Sequence, residues 1–382
     1  VKADMSAIVK GPYLQWPTQD SMTIMWETAQ ETDATVLWYE TERVHSGLNG
    51  SSRTVEESER VVTDGARQGR IHRLTLEGLE PETDYHYRVR SVVAGGVSVE
   101  SDLHALRTAP RPDTPFSFAV ISETGGYGDD EINRRIFAQI ERYRPDFLLV
   151  VGDAVSRGSH YEDWARFFFG PARRLLHSTP FYLVPGNHEE DATWFYDFVS
   201  YPKPKNYYSF DYGNAHFTGL DSTRLVDYAG GTPVATSELE PGAAQPAFLD
   251  ADLGTSTARW KIVFFHYPPY VSGDYQVGEM RALCPVLEQH GVNVVFNSHT
   301  IVYERSHPIR QDRLDEKEGT VYIVAGGAGA KGDWFHPKRA WHTAEALAVP
   351  HFVHAVVAGD TLALKAVDLD GRLFDSLTLS QR

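Results

Sequence analysis

The feature that most constrains this chain is a set of short, almost uninterrupted apolar runs between residues 116 and 327. Each run stops abruptly at glycine or a polar residue. They are FSFAVIS ending at Ser122, DFLLVVGD ending at Asp153, FYLVPGNH ending at His188, WKIVFFH ending at His266, VNVVFNSH ending at His299 and GTVYIVAGG ending at Gly327. Runs of this kind, without polar alternation, read as strands covered on both faces. EINRRIFAQIERY carries Ile132, Ile136 and Ile140 at helical spacing, and YEDWARFFFGPARRLL (161–176) also reads as helical. Strands alternating with helices predict an α/β domain, and ligands in such domains gather at the carboxyl ends of the strands. The tail from His354 reads as closing β-strands, with DLDGR (368–372) as a hairpin turn.

The first part of the chain has a different texture. SMTIMWET (21–28), ATVLWYE (34–40), RIHRLTLEGL (70–79) and YHYRVRSVV (85–93) are short, β-branched and aromatic, and the last two alternate. They predict a β-sandwich over 8–109, with Trp26 in its core and Tyr85 as a corner tyrosine. TAPRPDTP (108–115) is proline-rich. Proline restricts its own backbone and that of the residue before it, so 110–115 reads as a linker and 116–382 as the second domain.

Composition removes several function classes. Lys and Arg total 36 against 52 Asp and Glu, a formal net charge of −16. Such a surface repels phosphate backbones, so no nucleic-acid partner is expected. No apolar run reaches the roughly 18 residues a membrane span needs, so no membrane partner is expected either. The lone cysteine, Cys284, allows no intrachain disulfide and no cysteine-based zinc site. The opening VKADMSAIVKG lacks the apolar core of a signal peptide, and the compartment and oligomeric state stay open.

Four strand ends deliver metal-type side chains: Asp153, Asn187 followed by His188, His266 and His299. One histidine at a strand end is usually structural. Four such ends in one domain are a coordination shell in outline, because a carboxylate, an amide oxygen and two imidazoles suit Zn²⁺, Mn²⁺ or Fe²⁺. The glycine-rich AGGAGAKGDW (325–334) lacks the G-K-[ST] ending of a phosphate-cradling loop and reads as a tight loop near the site. Trp334, Phe335, His336 and Trp341 follow it as candidate pocket walls. LVDYAGGTPVATSELEPGAAQP (225–246) reads as a long loop of the binding kind. Asn49-Gly50-Ser51 fits a glycosylation sequon and equally a turn.

The order GD, GNHE, H-x-P, H-x-x-x-YER resembles the calcineurin-like metallophosphoesterases. With GPYLQWPTQDSMTIMWET, YYSFDYGNAHFTGLDS and YERSHPI, it resembles their purple acid phosphatase branch, over about Gly11 to Leu379. That resemblance implies an N-terminal fibronectin type III-like sandwich followed by an αββα sandwich. It also implies two metal ions bridged by one aspartate, activating water against a small phosphate ester. Asp153 would be the bridge. Asn187, His266 and His299 would complete one metal site, and His188 would face the phosphate as an acid. Members are often secreted.

The other metal site departs from the pattern at every position except the bridge. Ser122-Glu123 stands where the family has Gly-Asp, Ser156 where it has a metal-binding tyrosine, and Ser298-His299-Thr300-Ile301 where it has Gly-His-x-His. The expectation is one divalent metal per chain. Glu123 is expected either as a general acid–base group or as a weak ligand helped by Asp129, Asp130 or His160. Two alternatives stand beside phosphate-ester hydrolysis: acid–base chemistry on a non-phosphate substrate, and a binding protein without activity.

Overall fold

The apolar runs become strands because their side chains are buried on both faces, and the polar residues that end them turn away into loops. The computed structural model describes residues 7–40, 60–93, 96–126, 128–228, 231–334 and 338–381. Asn49, Phe335 and His336 lie outside them. The chain divides into two compact units, one holding the described residues up to Arg111 with Leu176–Pro180, the other Pro112–Leu175 with Phe181 onward.

The first unit contains β1 (Ile8–Gln15), β2 (Ser21–Glu40), β3 (Arg60–Glu77), β4 (Asp84–Val92), β5 (Ser98–Glu100) and β6 (His104–Arg107). The expected sandwich is realised as one curled sheet. ETAQETDA interrupts the apolar alternation, yet pairing of β2 with β3 resumes after register shifts between Glu27 and Ala34. β2 therefore runs on, pairing with β1 in its first half and with β4 in its second. Trp26, Trp38, Leu74, Tyr87 and Val89 fill the inside of the curl. Tyr85 is the corner tyrosine, its hydroxyl accepting the Glu80 N–H at 2.8 Å.

The second unit begins with β7 (Phe116–Ile121), α1 (Asp130–Tyr143), β8 (Phe147–Val150) and β9 (Phe181–Leu183). β10 (Tyr208–Tyr212), β11 (Ala215–Gly219), β12 (Trp260–Phe264), β13 (Val294–Asn297), β14 (Tyr303–Ser306), β15 (Val321–Ala325) and β16 (Thr343–Leu347) form a seven-stranded mixed sheet in the order β10-β11-β12-β13-β15-β14-β16. β17 (His351–Ala358), β18 (Thr361–Asp368) and β19 (Leu373–Ser380) are the closing strands, and they extend the first sheet in the order β19-β18-β17-β7-β8-β9. β7, β8 and β9 are parallel, as are β11, β12, β13 and β15, so the loops after β7, β8, β9, β12 and β13 leave carboxyl ends.

The two sheets of this unit face each other through aromatic rings. Phe118 and Phe147 stack at 5.2 Å and meet Phe217 edge-on, each at 5.3 Å. A second core lies under the 225–290 segment, where Leu249, Leu253, Phe265, Met280 and Leu287 are buried together. Cys284 is buried there as a packed residue and accepts a hydrogen bond from the Tyr322 hydroxyl. The long loop is partly ordered by a short hairpin pairing Val226–Asp227 with Val234–Ala235. Among the described residues, no helix is long and apolar enough to cross a membrane.

Candidate metal centre

The strand ends place the metal-type residues in three left-handed turns. Glu123, Asp153 and His299 have φ of 57°, 53° and 68°. Non-glycine residues resist this region at a cost of about 1–2 kcal/mol each. Close packing of the turns explains two neighbouring glycines. A Cβ at Gly152 would lie 2.6 Å from His266 Nδ1, and one at Gly186 would lie 2.2 Å from Asp153 Oδ1.

Asp153, His266 and His299 each offer one ligand atom, and these atoms lie within 4.8 Å of one another. All three residues are buried. His266 donates from Nδ1 to the Val151 carbonyl at 2.8 Å, which aims Nε2 at Asp153 Oδ2 (3.1 Å) and Asn187 Oδ1 (3.2 Å). A histidine anchored in this way through its other ring nitrogen is the usual arrangement for a metal ligand. His299 Nε2 is buried with no hydrogen-bond partner among the described residues. An orphaned imidazole nitrogen beside a carboxylate and a second imidazole fits a divalent transition ion. Asn187 itself is exposed, on the short turn Asn187–Glu189.

The charges of the site are strongly coupled. Burial alone would raise the Asp153 carboxyl, but the charge and hydrogen bond of His266 hold it at about 2. Burial works against a charged His266 ring, yet Asp153 lifts it to about 9. Burial, then the charge of His266, pushes His299 down to about 3, which leaves it neutral, whereas the charged His266 would have to give up its Nε2 proton to hold a metal. Burial also opposes the charged form of His188, but Asp153 and the Ser156 carbonyl raise its pKa above the usual value. His188 donates from Nδ1 to that carbonyl at 2.7 Å, and its N–H donates to Asp153 Oδ1 at 2.9 Å.

Glu123 sits beside the triad and outside it. Its Oε1 is 4.0 Å from His266 Nε2 and accepts hydrogen bonds from the Ser298 hydroxyl (2.6 Å) and the His299 N–H (2.9 Å). Burial, then the charge of Asp153, pushes its carboxyl up to about 7. Two of the expected helpers are engaged elsewhere, Asp129 capping α1 and Asp130 pairing with Arg166 at 3.1 Å, and His160 is exposed at the start of the short helix Tyr161–Asp163. Ile301, which carries no ligand atom, sits in a turn closed by its N–H donating to Asp333 Oδ2. The glycine-rich stretch is a tight loop beside the site, with Ala328 and Ala330 donating to the Ser122 and Glu123 carbonyls. Trp334 is exposed, and Trp341 packs near Tyr270 and His342.

Three residues acquire roles that the sequence pattern did not give them. Glu189, fully buried, accepts the N–H groups of Gly186 (2.6 Å), Asp153 (2.8 Å) and Ala154 (2.8 Å). Burial, then Asp153, pushes its pKa up to about 8, yet both its oxygens serve as acceptors, as befits a carboxylate. Asn133 on α1 donates to the Thr124 carbonyl and accepts the Gly329 N–H, tying two site loops to the helix. Tyr267 packs on His299, with ring centroids 4.6 Å apart. The signals that could have found them are the fourth letter of GNHE, a polar residue on an apolar helix face, and the residue after a ligand.

Comparison with known proteins agrees with this geometry. The Calcineurin-like phosphoesterase family matches residues 99–303. The chain belongs to that family. The Purple acid Phosphatase, N-terminal domain matches residues 9–108, which puts the chain in the purple-acid-phosphatase-like branch. Purple acid phosphatase 21 of Arabidopsis thaliana is 30% identical over 68% of this chain and 59% of its own length, so the match leaves much of that relative uncovered. Purple acid phosphatase 23 of the same plant is 25% identical over 83% of this chain and 76% of its own. Among solved structures, the yellow lupin purple acid phosphatase PPD1 matches the fold with a TM-score of 0.80 at 19% identity, over 97% of this chain and 74% of that one. Within this branch the chain has an incomplete metal site, with one Asp/His/His triad among the described residues.

Proposed function

We propose that this protein is a metal-dependent hydrolase of small phosphate esters that works with one divalent transition ion, Zn²⁺, Mn²⁺ or Fe²⁺. The observation that carries the reading is the convergence of Asp153, His266 and His299 within 4.8 Å, with His266 Nε2 aimed by the Nδ1 bond to Val151. These three residues and Asn187 would hold the ion. Bound there, it supplies a Lewis acid for the phosphoryl oxygen and an acidified water.

The remaining chemistry belongs to the chain. His188 keeps Nδ1 on the Ser156 carbonyl, so its exchangeable proton is at Nε2. Its pKa is raised above the usual value despite burial, chiefly by Asp153, which favours the protonated form that would serve the leaving oxygen. Asp153, held as an anion, balances the charge of the ion and of His188. The raised pKa of Glu123 favours a second reading, acid–base chemistry on a non-phosphate substrate. Engagement of its Oε1 by Ser298 and His299 weighs against that role.

The test compares 4-nitrophenyl phosphate with an alkyl phosphate, using protein loaded in turn with each of the three metals. The parent should hydrolyse both, and His299→Ala should lose activity together with the metal. His188→Ala should keep the metal and slow the alkyl ester by about 100-fold or more, while slowing the nitrophenyl ester far less, because nitrophenolate leaves without a proton. No hydrolysis with any metal would overturn the reading.

A further inference from the structure

Three of the residues that depart from the family pattern, Ser122, Glu123 and Ser298, form one chain of close polar contacts. The Ser122 hydroxyl donates to the Ala325 carbonyl at 2.6 Å. The Ser298 hydroxyl lies between Ser122 Oγ (2.7 Å) and Glu123 Oε1 (2.6 Å). The same Oε1 accepts the His299 N–H at 2.9 Å. All three side chains are buried, and the chain links the ends of β7, β13 and β15. The main chain of Glu123 extends the tie, since its N–H points to the Gly152 carbonyl (3.4 Å) and its carbonyl accepts the Ala330 N–H (3.0 Å).

This arrangement is costly unless something depends on it. Glu123 buries a carboxyl and adopts a left-handed backbone conformation, yet it stands outside the triad of metal-type atoms. The beneficiary is the turn that carries His299. That residue is itself left-handed, and its buried Nε2 has no hydrogen-bond partner among the described residues to orient the ring. Ring packing from Tyr228, Tyr267 and Tyr275 bounds the imidazole, with centroids 4.6 to 5.3 Å away. The turn is tied at Ser298 N–H to the His266 carbonyl and at Thr300 and Ile301 to Asp274 and Asp333, while at His299 itself the Glu123 carboxylate holds the N–H and the preceding side chain through one oxygen.

We propose that Glu123, with Ser298, is a positioning residue that locks the His299 turn against the ends of β7 and β8, so that a one-metal site is organised without a second ion. The proposal rests on the reading that Asp153, His266 and His299 hold a metal. It also gives a reason for the longer side chain. Aspartate at this position would fall short by one carbon–carbon bond, about 1.5 Å. Both contacts would then exceed hydrogen-bonding distance.

The test is Zn²⁺ affinity, measured by chelator competition on folded protein, together with thermal midpoints. Glu123→Gln keeps a carbonyl oxygen that accepts both donors, so its affinity should stay within about threefold of the parent. Glu123→Ala and Glu123→Asp should both weaken binding by about 10- to 100-fold. Ser298→Ala should fall between them. Val357→Ala, a core change in β17, controls for stability and should lower the midpoint without moving the affinity. If Glu123→Gln binds as weakly as Glu123→Ala, the carboxylate charge matters as ligand or base, and the proposal is wrong. If Glu123→Ala binds like the parent, the positioning role alone is wrong. A parent chain that takes up no metal overturns the metal reading, and this role with it.

Discussion

Replacing Glu189 by alanine probes the framework of the site most sharply. The side chain is fully buried and serves three main-chain donors, the N–H groups of Gly186, Asp153 and Ala154, at 2.6 to 2.8 Å. An unsatisfied buried donor costs about 1–3 kcal/mol. Three of them cost about 3–6 kcal/mol once water reaches part of the gap and the repulsion between Glu189 and Asp153 is relieved. Glutamine is milder. Its oxygen can serve the Asp153 and Gly186 donors that now share Oε2, while its NH₂ confronts only Ala154, for about 1–3 kcal/mol. Because two of the three donors flank the Asp153 side chain, the ligand loosens as stability falls. Urea unfolding of the parent, Glu189→Gln and Glu189→Ala should give that order of stabilities, and Zn²⁺ affinity should fall by about 10- to 100-fold in the alanine variant. Unchanged affinity in a destabilised Glu189→Ala would refute the link from this carboxylate to Asp153.

Two further outcomes follow from the geometry. In Gly186→Ala the new Cβ would stand 2.2 Å from Asp153 Oδ1, about 1 Å inside contact distance, so metal affinity should drop at least tenfold with circular dichroism unchanged; parental affinity would contradict this. His216, held between Asp211 (2.7 Å) and Asp252 (2.9 Å), has a pKa that burial would lower but these carboxylates raise from 6.5 to about 9. The charged form is thus favoured by folding. Its contribution, about 2 kcal/mol after allowance for the exposure of Asp211, is full below pH 6.5 and is lost as pH rises through 9. His216→Ala should remove that alkaline loss from urea midpoints, and an equal loss in parent and variant would count against it.

The strand ends were legible because apolar runs stop abruptly at residues whose chemistry differs from everything before them. Asp153, His266 and His299 therefore declared themselves from local sequence, and the structure brings them together. Glu189 and the Ser122–Glu123–Ser298 chain did not. Apart from Gly186, three positions before Glu189, their partners are main-chain groups or hydroxyls lying 35 to 203 positions away, and no local pattern encodes such distances. The curl of the first sheet was hidden for a related reason. The polar stretch between Glu27 and Ala34 looks like a turn between two strands, yet pairing with β3 resumes beyond it in a shifted register, and the two runs form one strand. The left-handed conformation at Glu123, Asp153 and His299 falls on non-glycine residues, so the residue type at those positions does not announce it.

The most direct measurement of the whole account is the metal content of the purified chain, by mass spectrometry after loading and desalting. One ion per chain, absent from His299→Ala, is the expected result. Two ions per chain, or an ion that survives removal of His299, would contradict it.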